Sequence, residues 1–219
     1  MRKYIKISIL VDNPKSWFHS YIGNLIREIK KVKKVKSKLC FAKKVSDLRQ
    51  GDVLFILSCD RLIGKGELSL HRNNIVIHAS DLPKGRGWSP MTWQVESGKN
   101  KIPICLFEAS EECDSGDYYI KSYVSLDGTE LIDKIREKLA KKVIMLIRQY
   151  LSSYPMKTVP QTGKSSHYRR RTSRDNELNV NSSIKRQFNK MRVADNERYP
   201  LHFTLKNKKY IVKIYDGTE

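Results

Sequence analysis

The segment Asp52-Val-Leu-Phe-Ile-Leu-Ser58 is an unbroken apolar run of strand length between two polar residues. Such a run marks a strand covered on both faces. Ile75-Val-Ile-His78 and the stretch from Ile102 to Phe107 repeat the pattern. Ile5, Ile7, Ile9 and Val11 alternate with Lys6, Ser8 and Leu10, which reads as a first strand that Asp12-Asn13-Pro14 breaks. Leu39 to Ala42 predicts another. Between these runs the period changes. From Trp17 to about Lys36, Ile22, Leu25, Ile26, Ile29 and Val32 recur at helical spacing, with lysines on the wet side. Leu131 to Leu151 predicts a long amphipathic helix with Ile132, Ile135, Leu139, Val143, Leu146 and Ile147 on its dry side. Strands alternating with helices predict an α/β fold built on a Rossmann-like open, mostly parallel sheet. After Tyr154-Pro155 the chain turns polar to about Ser182. A helix over 184–193 and a hairpin from His202–Leu205 and Tyr210–Tyr215 follow. The reading is therefore a first domain over 1–154 and a small α+β accessory region over 155–219, made of a loop, a helix and a β-hairpin.

Charge is distributed unevenly over the 219 residues, whose formal net charge is +20. Residues 1–38 hold 11 basic and 2 acidic side chains, and residues 155–219 hold 15 and 6, against 17 and 15 in between. Basic ends around a nearly neutral centre suit a polyanion or a phosphorylated ligand. The same charge also suits a merely solvated surface. No run of about 18 apolar residues is present, and Met1 to Lys6 lacks the apolar stretch of a signal peptide. The four cysteines, 40, 59, 105 and 113, stand singly without a CxxC pair, so neither a zinc site nor a disulfide framework is expected. The expectation is a cytoplasmic protein with reduced thiols and no membrane or metal. No GxGxxG follows the first strand and no GxxxxGK[ST] occurs, which removes a dinucleotide site and a P-loop.

One segment carries more. His78 ends an apolar strand, and a turn-rich loop from Ser80 to Pro90 follows. In an open parallel sheet, ligands bind where strands end at their carboxyl edge. Asp114 follows the Ile104–Phe107 strand through a short polar loop, so both side chains are expected to converge there. A histidine beside a carboxylate suits proton transfer. The segment His78-Ala-Ser80-Asp-Leu82-Pro83-Lys-Gly-Arg86-Gly87-Trp-Ser-Pro90 resembles the HxSLLPxxRGxxP signature of the folate-dependent formyltransferases, and Cys113-Asp114-Ser115-Gly116-Asp117 is similar to that family's DTGD segment. The family includes methionyl-tRNA formyltransferase, glycinamide ribonucleotide transformylase and the sugar N-formyltransferases.

The resemblance implies formyl transfer from 10-formyltetrahydrofolate, with His78 handling the proton or stabilising the oxyanion and Asp114 positioning it. It implies a folate pocket from Arg61, Leu62 and Ile63 on one wall and Ser110, Glu111, Glu112 and Cys113 on the other. One family member is missing. The asparagine usual two residues before the histidine is Val76 here, and valine donates no hydrogen bond. A backbone amide or Ser80 is the expected substitute. Cys59 has no base placed near it and is not read as a nucleophile. For the acceptor, the tail leans toward the sugar N-formyltransferases. Gln161, Tyr168-Arg169-Arg170-Arg171, Asp175 and Arg192 to Pro200 resemble their accessory region, and the Asp12-Asn13-Pro-Lys-Ser-Trp17 loop resembles the branch acting on nucleotide-linked 4-amino sugars, pseudaminic acid precursors among them. Asn13, Trp17, Ser80, Lys84, Arg86, Tyr168, Arg169, Arg170 and Arg171 are thus expected on the substrate side. Arg86 has a second reading, as a residue holding its own loop. A nucleotide-linked amino sugar is the expected partner, with a homodimer possible in this family. Two alternatives stand beside it. One is a methionyl-tRNA formyltransferase-like activity, which the charge favours and the short stretch after Pro155 opposes. The other is a non-catalytic basic binding module of the same fold.

Overall fold

A computed structural model describes residues 4–217 of the chain. A six-stranded sheet runs in the order β2 (Ser37–Ala42), β1 (Ile5–Leu10), β3 (Gly51–Ile56), β4 (His71–His78), β6 (Lys101–Glu108), β7 (Tyr118–Ser125). The first four pair in parallel, whereas β6 is antiparallel to both neighbours. Helices α1 (Ile22–Lys30) and α4 (Ile132–Ser153) cover one face. Between β3 and β4 lies the single turn α2 (Lys65–Leu68), and after β4 come the two-residue strand β5 (Arg86–Gly87) and α3 (Pro90–Glu96). Beyond α4 the chain forms β8 (His167–Tyr168), α5 (Ile184–Arg192) and the hairpin β9 (Leu201–Leu205) and β10 (Lys208–Val212).

The unbroken apolar run of β3 splits by alternation. Val53 and Phe55 enter the large core with α1 and α4, while Leu54 and Ile56 join a smaller cluster with Leu10, Ala42, Val45, Leu48 and Ile63. Both faces are indeed apolar, but no long helix covers the second. Loops and α2 cover part of it, and the remainder is left open as a cleft. β2 is an edge strand whose Lys38 is exposed and whose flank carries Lys36, Lys43 and Lys44, charges that oppose pairing with another chain.

The region after α4 has a small core of its own, Leu178, Met191, Ala194 and Leu201, and Val193 enters the main core. Its firmest tie is Arg192, 1% exposed, which donates from Nε to Glu130 O at 3.1 Å, and from Nη1 to Asn100 Oδ1 at 3.1 Å and Asn189 Oδ1 at 3.0 Å. Its Nη2 lies 3.1 Å from Glu130 Oε2.

Gly51 leaves room for the buried His71 ring, since a Cβ there would sit 2.7 Å from His71 Cδ2. His71 Nε2 lies 2.8 Å from Ser8 Oγ, and Nδ1 is buried without a partner. Burial holds this histidine's pKa below its ordinary value, because the charged form is the one desolvated. The unfolded chain therefore binds the proton first, and stability falls as pH drops below about 6.5. Urea unfolding at pH 7.5 and 5.5 is expected to show this loss in the native chain and a smaller one in His71→Gln; equal losses would remove His71 as the cause.

Candidate active site

Four parallel strands end on the side where His78 closes β4. β6 runs the other way, with His78 opposite Cys105 and Ile75 opposite Glu108. Its chain therefore leaves the sheet three residues behind His78, and not at the carboxyl edge where the sequence placed Asp114. The 109–117 loop then folds back over the open face. Two backbone features make the return possible. Asp114 adopts φ +51°, a left-handed conformation that aspartate tolerates better than most residues. Gly116 lies so close to Glu108 O that a Cβ would sit 1.8 Å from it.

The return brings Asp114 Oδ2 to 3.5 Å from His78 Nε2, both side chains being nearly buried. His78 Nε2 also lies 2.9 Å from Gly85 O. A carbonyl oxygen only accepts, so Nε2 carries the proton and Nδ1 is the basic nitrogen of the neutral ring. Gly87 N–H donates to Asp114 Oδ2 at 2.8 Å. Both partners thus come from the glycines around Arg86.

A cleft of about 500 Å³ opens beside this pair. Its apolar walls include Ile56, Val76 and Phe107, and His78 and Asp114 belong to the same lining. Of the residues expected to hold folate, Arg61, Leu62, Ile63, Ser110, Glu112 and Cys113 line it. Glu111 does not; its carboxylate lies 3.7 Å from exposed Lys65. Leu62 is 60% exposed at the cleft. Arg61 spans Asp12, at 3.6 Å, and Glu67, at 3.7 Å. Val76 faces the cleft where the resemblance would place an asparagine. Asn74 is no replacement. It lies about 7 Å back along the strand from Val76, and its amide donates to Leu68 O. Burial pushes the Cys59 thiol up to about 12, which keeps it protonated at neutral pH. All four cysteines are free, and no cluster of metal-ligating side chains occurs among the described residues.

The substrate-side residues divide differently from expectation. Ser80 is 1% exposed and its Oγ is buried without a partner, so it does not reach the cleft as a donor. Asn13 is occupied within its own loop and by Asp60, to which its amide donates at 2.8 Å. Trp17 packs edge-on to Phe18 and Tyr21 against the core. Lys84 is exposed and outside the cleft lining. Arg86 holds its loop, donating from Nη2 to Gln161 Oε1 at 2.9 Å. Tyr168 stacks on Trp93, and its backbone pairs with Gly87 in a parallel bridge. The arginine triplet is not uniform. Arg169 donates to Asp175 at 2.8 Å and holds that carboxyl well below its usual range. Arg171 pairs with Glu96 and Asn176. Both also lie over the Trp93 ring. Arg170 makes no ion pair among the described residues and lies 4.6 Å over the ring of Trp88. Trp88 itself lines the cleft, a role the sequence reading missed although it stands inside the motif.

A family profile described as "Formyl transferase" matches residues 19–150. The chain belongs to the formyl transferase family. Among curated relatives, methionyl-tRNA formyltransferase of Thermosipho melanesiensis is 30% identical over 119 residues, which is 54% of this chain and 39% of that protein. The chain thus spans about two fifths of that relative's length. Among solved structures, methionyl-tRNA formyltransferase from Clostridium thermocellum superposes with a TM-score of 0.76 at 20% identity, covering 95% of this chain and 99% of that one. A sugar N-formyltransferase from Shewanella gives 0.72 at 14%, covering 98% and 99%. HypX from Aquifex aeolicus in complex with tetrahydrofolic acid gives 0.73 at 15%, covering 97% and 38%. At these identities the three structures establish the formyltransferase fold. No helix among the described residues is long and apolar enough to cross a membrane.

Proposed function

We propose that the protein transfers the formyl group of 10-formyltetrahydrofolate to the amino group of a nucleotide-linked amino-deoxy sugar, with a UDP-linked 4-amino sugar as the first acceptor to test. The observation that carries this reading is the His78–Asp114 pair, 3.5 Å apart in the lining of the cleft. The cleft fits a folate head group in size and character: pockets of 300–1,000 Å³ with mostly apolar walls are usual for such ligands, and exposed Leu62 offers an apolar wall to a flat ring. When bound, the formyl donor supplies an electrophilic formyl carbon. The chain's part is to take a proton and to exclude water. His78, its Nε2 held by Gly85 O, keeps Nδ1 free to accept the proton that the amine loses and to return it to the folate nitrogen that departs as its bond to the formyl carbon breaks. The Asp114 carboxylate then stabilises the imidazolium, an attraction strengthened by near-burial of both groups. Ile56, Val76 and Phe107 keep the neighbouring wall dry.

For the acceptor, Arg170 is the member of the triplet left free to meet phosphate, and it sits on Trp88 at the cleft. Arg170→Ala is expected to raise the acceptor KM about tenfold with kcat little changed, the mark of a contact made equally in ground and transition states. Arg169→Ala is expected to act through stability instead. Unchanged acceptor KM in Arg170→Ala would remove this contact.

A second reading, formylation of methionyl-tRNA, is favoured by the curated relatives and by the +20 charge. The deciding experiment incubates the protein with 10-formyltetrahydrofolate and either a panel of UDP-linked amino sugars or methionyl-tRNA. Mass spectrometry then looks for the gain of one formyl group. Formylated sugar is the expected product; formylated methionyl-tRNA alone would overturn the sugar assignment.

A further inference from the structure

We infer that Gln161, from the segment beyond α4, is a positioning residue that holds the Asp114 carboxylate toward His78. The kinetic side of this inference rests on the function proposed above; the geometric side does not.

The 109–117 loop is bonded to the sheet at its two ends, where Ala109 N donates to Asn74 O at 2.6 Å and Asp117 O accepts from Glu108 N at 2.9 Å. Its internal hydrogen bonds, Ser110 Oγ with Ser115 Oγ at 2.7 Å and both with Glu112 O, tie the loop only to itself. The side chain of Gln161 supplies an external tie. Its Nε2 donates to Asp114 O at 2.9 Å and to Gly116 O at 2.7 Å. Its Oε1 accepts from Arg86 Nη2 at 2.9 Å. One amide thus joins the loop bearing Asp114 to the loop bearing Gly85 O and Gly87 N–H, the polar partners of His78 and Asp114.

The neighbouring chain supports this role. Val159 pairs with Tyr118, Ser166 Oγ accepts from Gly85 N at 2.9 Å, and Ser166 O accepts from Arg86 N at 2.9 Å. Trp88 N donates to Tyr168 O at 3.1 Å. Residues 159–168 therefore form a strap bonded to both loops, with Gln161 at the crossing. The chemistry needs an amide. Both N–H bonds are used as donors and the oxygen as an acceptor, a combination that neither glutamate nor methionine offers. Arg86 Nε is already buried without a partner, so removing Gln161 Oε1 leaves that guanidinium poorer still.

The test has two readouts. In Gln161→Met, the Gly87 amide is expected to exchange with solvent about tenfold faster by NMR, while the Leu106 amide in β6 is unchanged. With 10-formyltetrahydrofolate and a UDP-linked 4-amino sugar, kcat is expected to fall about 10- to 100-fold with the formyl-donor KM changed less than about threefold. In an Asp114→Asn background the same substitution is expected to add nothing, because its effect runs through the carboxylate. Gln161→Glu keeps the size and the acceptor for Arg86 but lacks the donors, and it is expected to behave like Gln161→Met should the latter fail to fold. Unchanged Gly87 exchange, or equal kcat losses in both backgrounds, would overturn the inference. A native chain inactive toward the sugar would sink the proposed acceptor, and Gly87 exchange would still decide the role of Gln161.

Discussion

Replacing His78 with asparagine is expected to slow formyl transfer by about 10²- to 10⁴-fold, the usual contribution of a positioned general base. Asparagine keeps a polar side chain that can donate to Gly85 O, so the loop retains its partner and unfolding should change little. What it lacks is a nitrogen able to take a proton. Asp114→Asn is the companion change. It preserves shape and an acceptor for Gly87 N–H, yet removes the negative charge 3.5 Å from the ring. Because the two groups act as a unit, the double variant is expected to be no slower than the slower single one. Rates of tetrahydrofolate release measured with acceptor present check this. A His78→Asn rate within about threefold of the native chain would remove the imidazole from the chemistry.

The largest stability effect is expected at Arg192, which is not among the residues lining the cleft. Its guanidinium is buried with Glu130 and is also satisfied by Asn100, Asn189 and the Glu130 carbonyl. Removing one partner of such a pair strands the other charge, at a cost of about 3–5 kcal/mol. For a chain of this size, Arg192→Met should lower Tm by roughly 6–20 °C. Lys138 also reaches Glu130, so part of the stranded charge is shared. The accessory helix α5 ends at Arg192, and its loss should loosen the whole region after α4. Thermal unfolding followed by circular dichroism measures the shift. A change below about 1 °C would mean that the ion pair is energetically neutral against a methionine of similar volume.

Periodicity was a good guide where burial is one-sided or complete. The β1, β3 and β6 runs and the α4 stripe appear close to their expected bounds, because alternation and 3.6-residue spacing are local properties, whereas β4 begins at His71, four residues before the expected Ile75. The expected helix from Trp17 to about Lys36 is shorter, a 3₁₀ turn over Trp17–Tyr21 followed by α1 to Lys30. Strand β7 escaped notice, since Tyr118–Ser125 mixes Lys121 and exposed Tyr123 into its pattern. The short pieces β5 and β8 carry no periodic signal and exist because two distant loops meet. Arg192 was invisible for a related reason: an arginine in a basic tail is by default a surface residue, and only its distant partners make burial tolerable.

The amino-acid sequence by itself determined that the chain would build an apolar, layered α/β sheet and that His78 would stand at the end of one of its strands. It also marked the loops with motifs that resemble one family. Only the tertiary structure decided how Asp114 comes to face that histidine. β6 runs antiparallel, so the carboxylate must return over the open face, and the return is held by Gly116 and by Gln161 from beyond α4. It decided as well that Arg169 and Arg171 are neutralised by Asp175 and Glu96 while Arg170 is left beside Trp88. The physical reason is common to both. Strand and helix periods are written in neighbouring residues, whereas hydrogen bonds and ion pairs between loops depend on groups brought together from as many as 183 positions apart, as with Arg198 and Lys15.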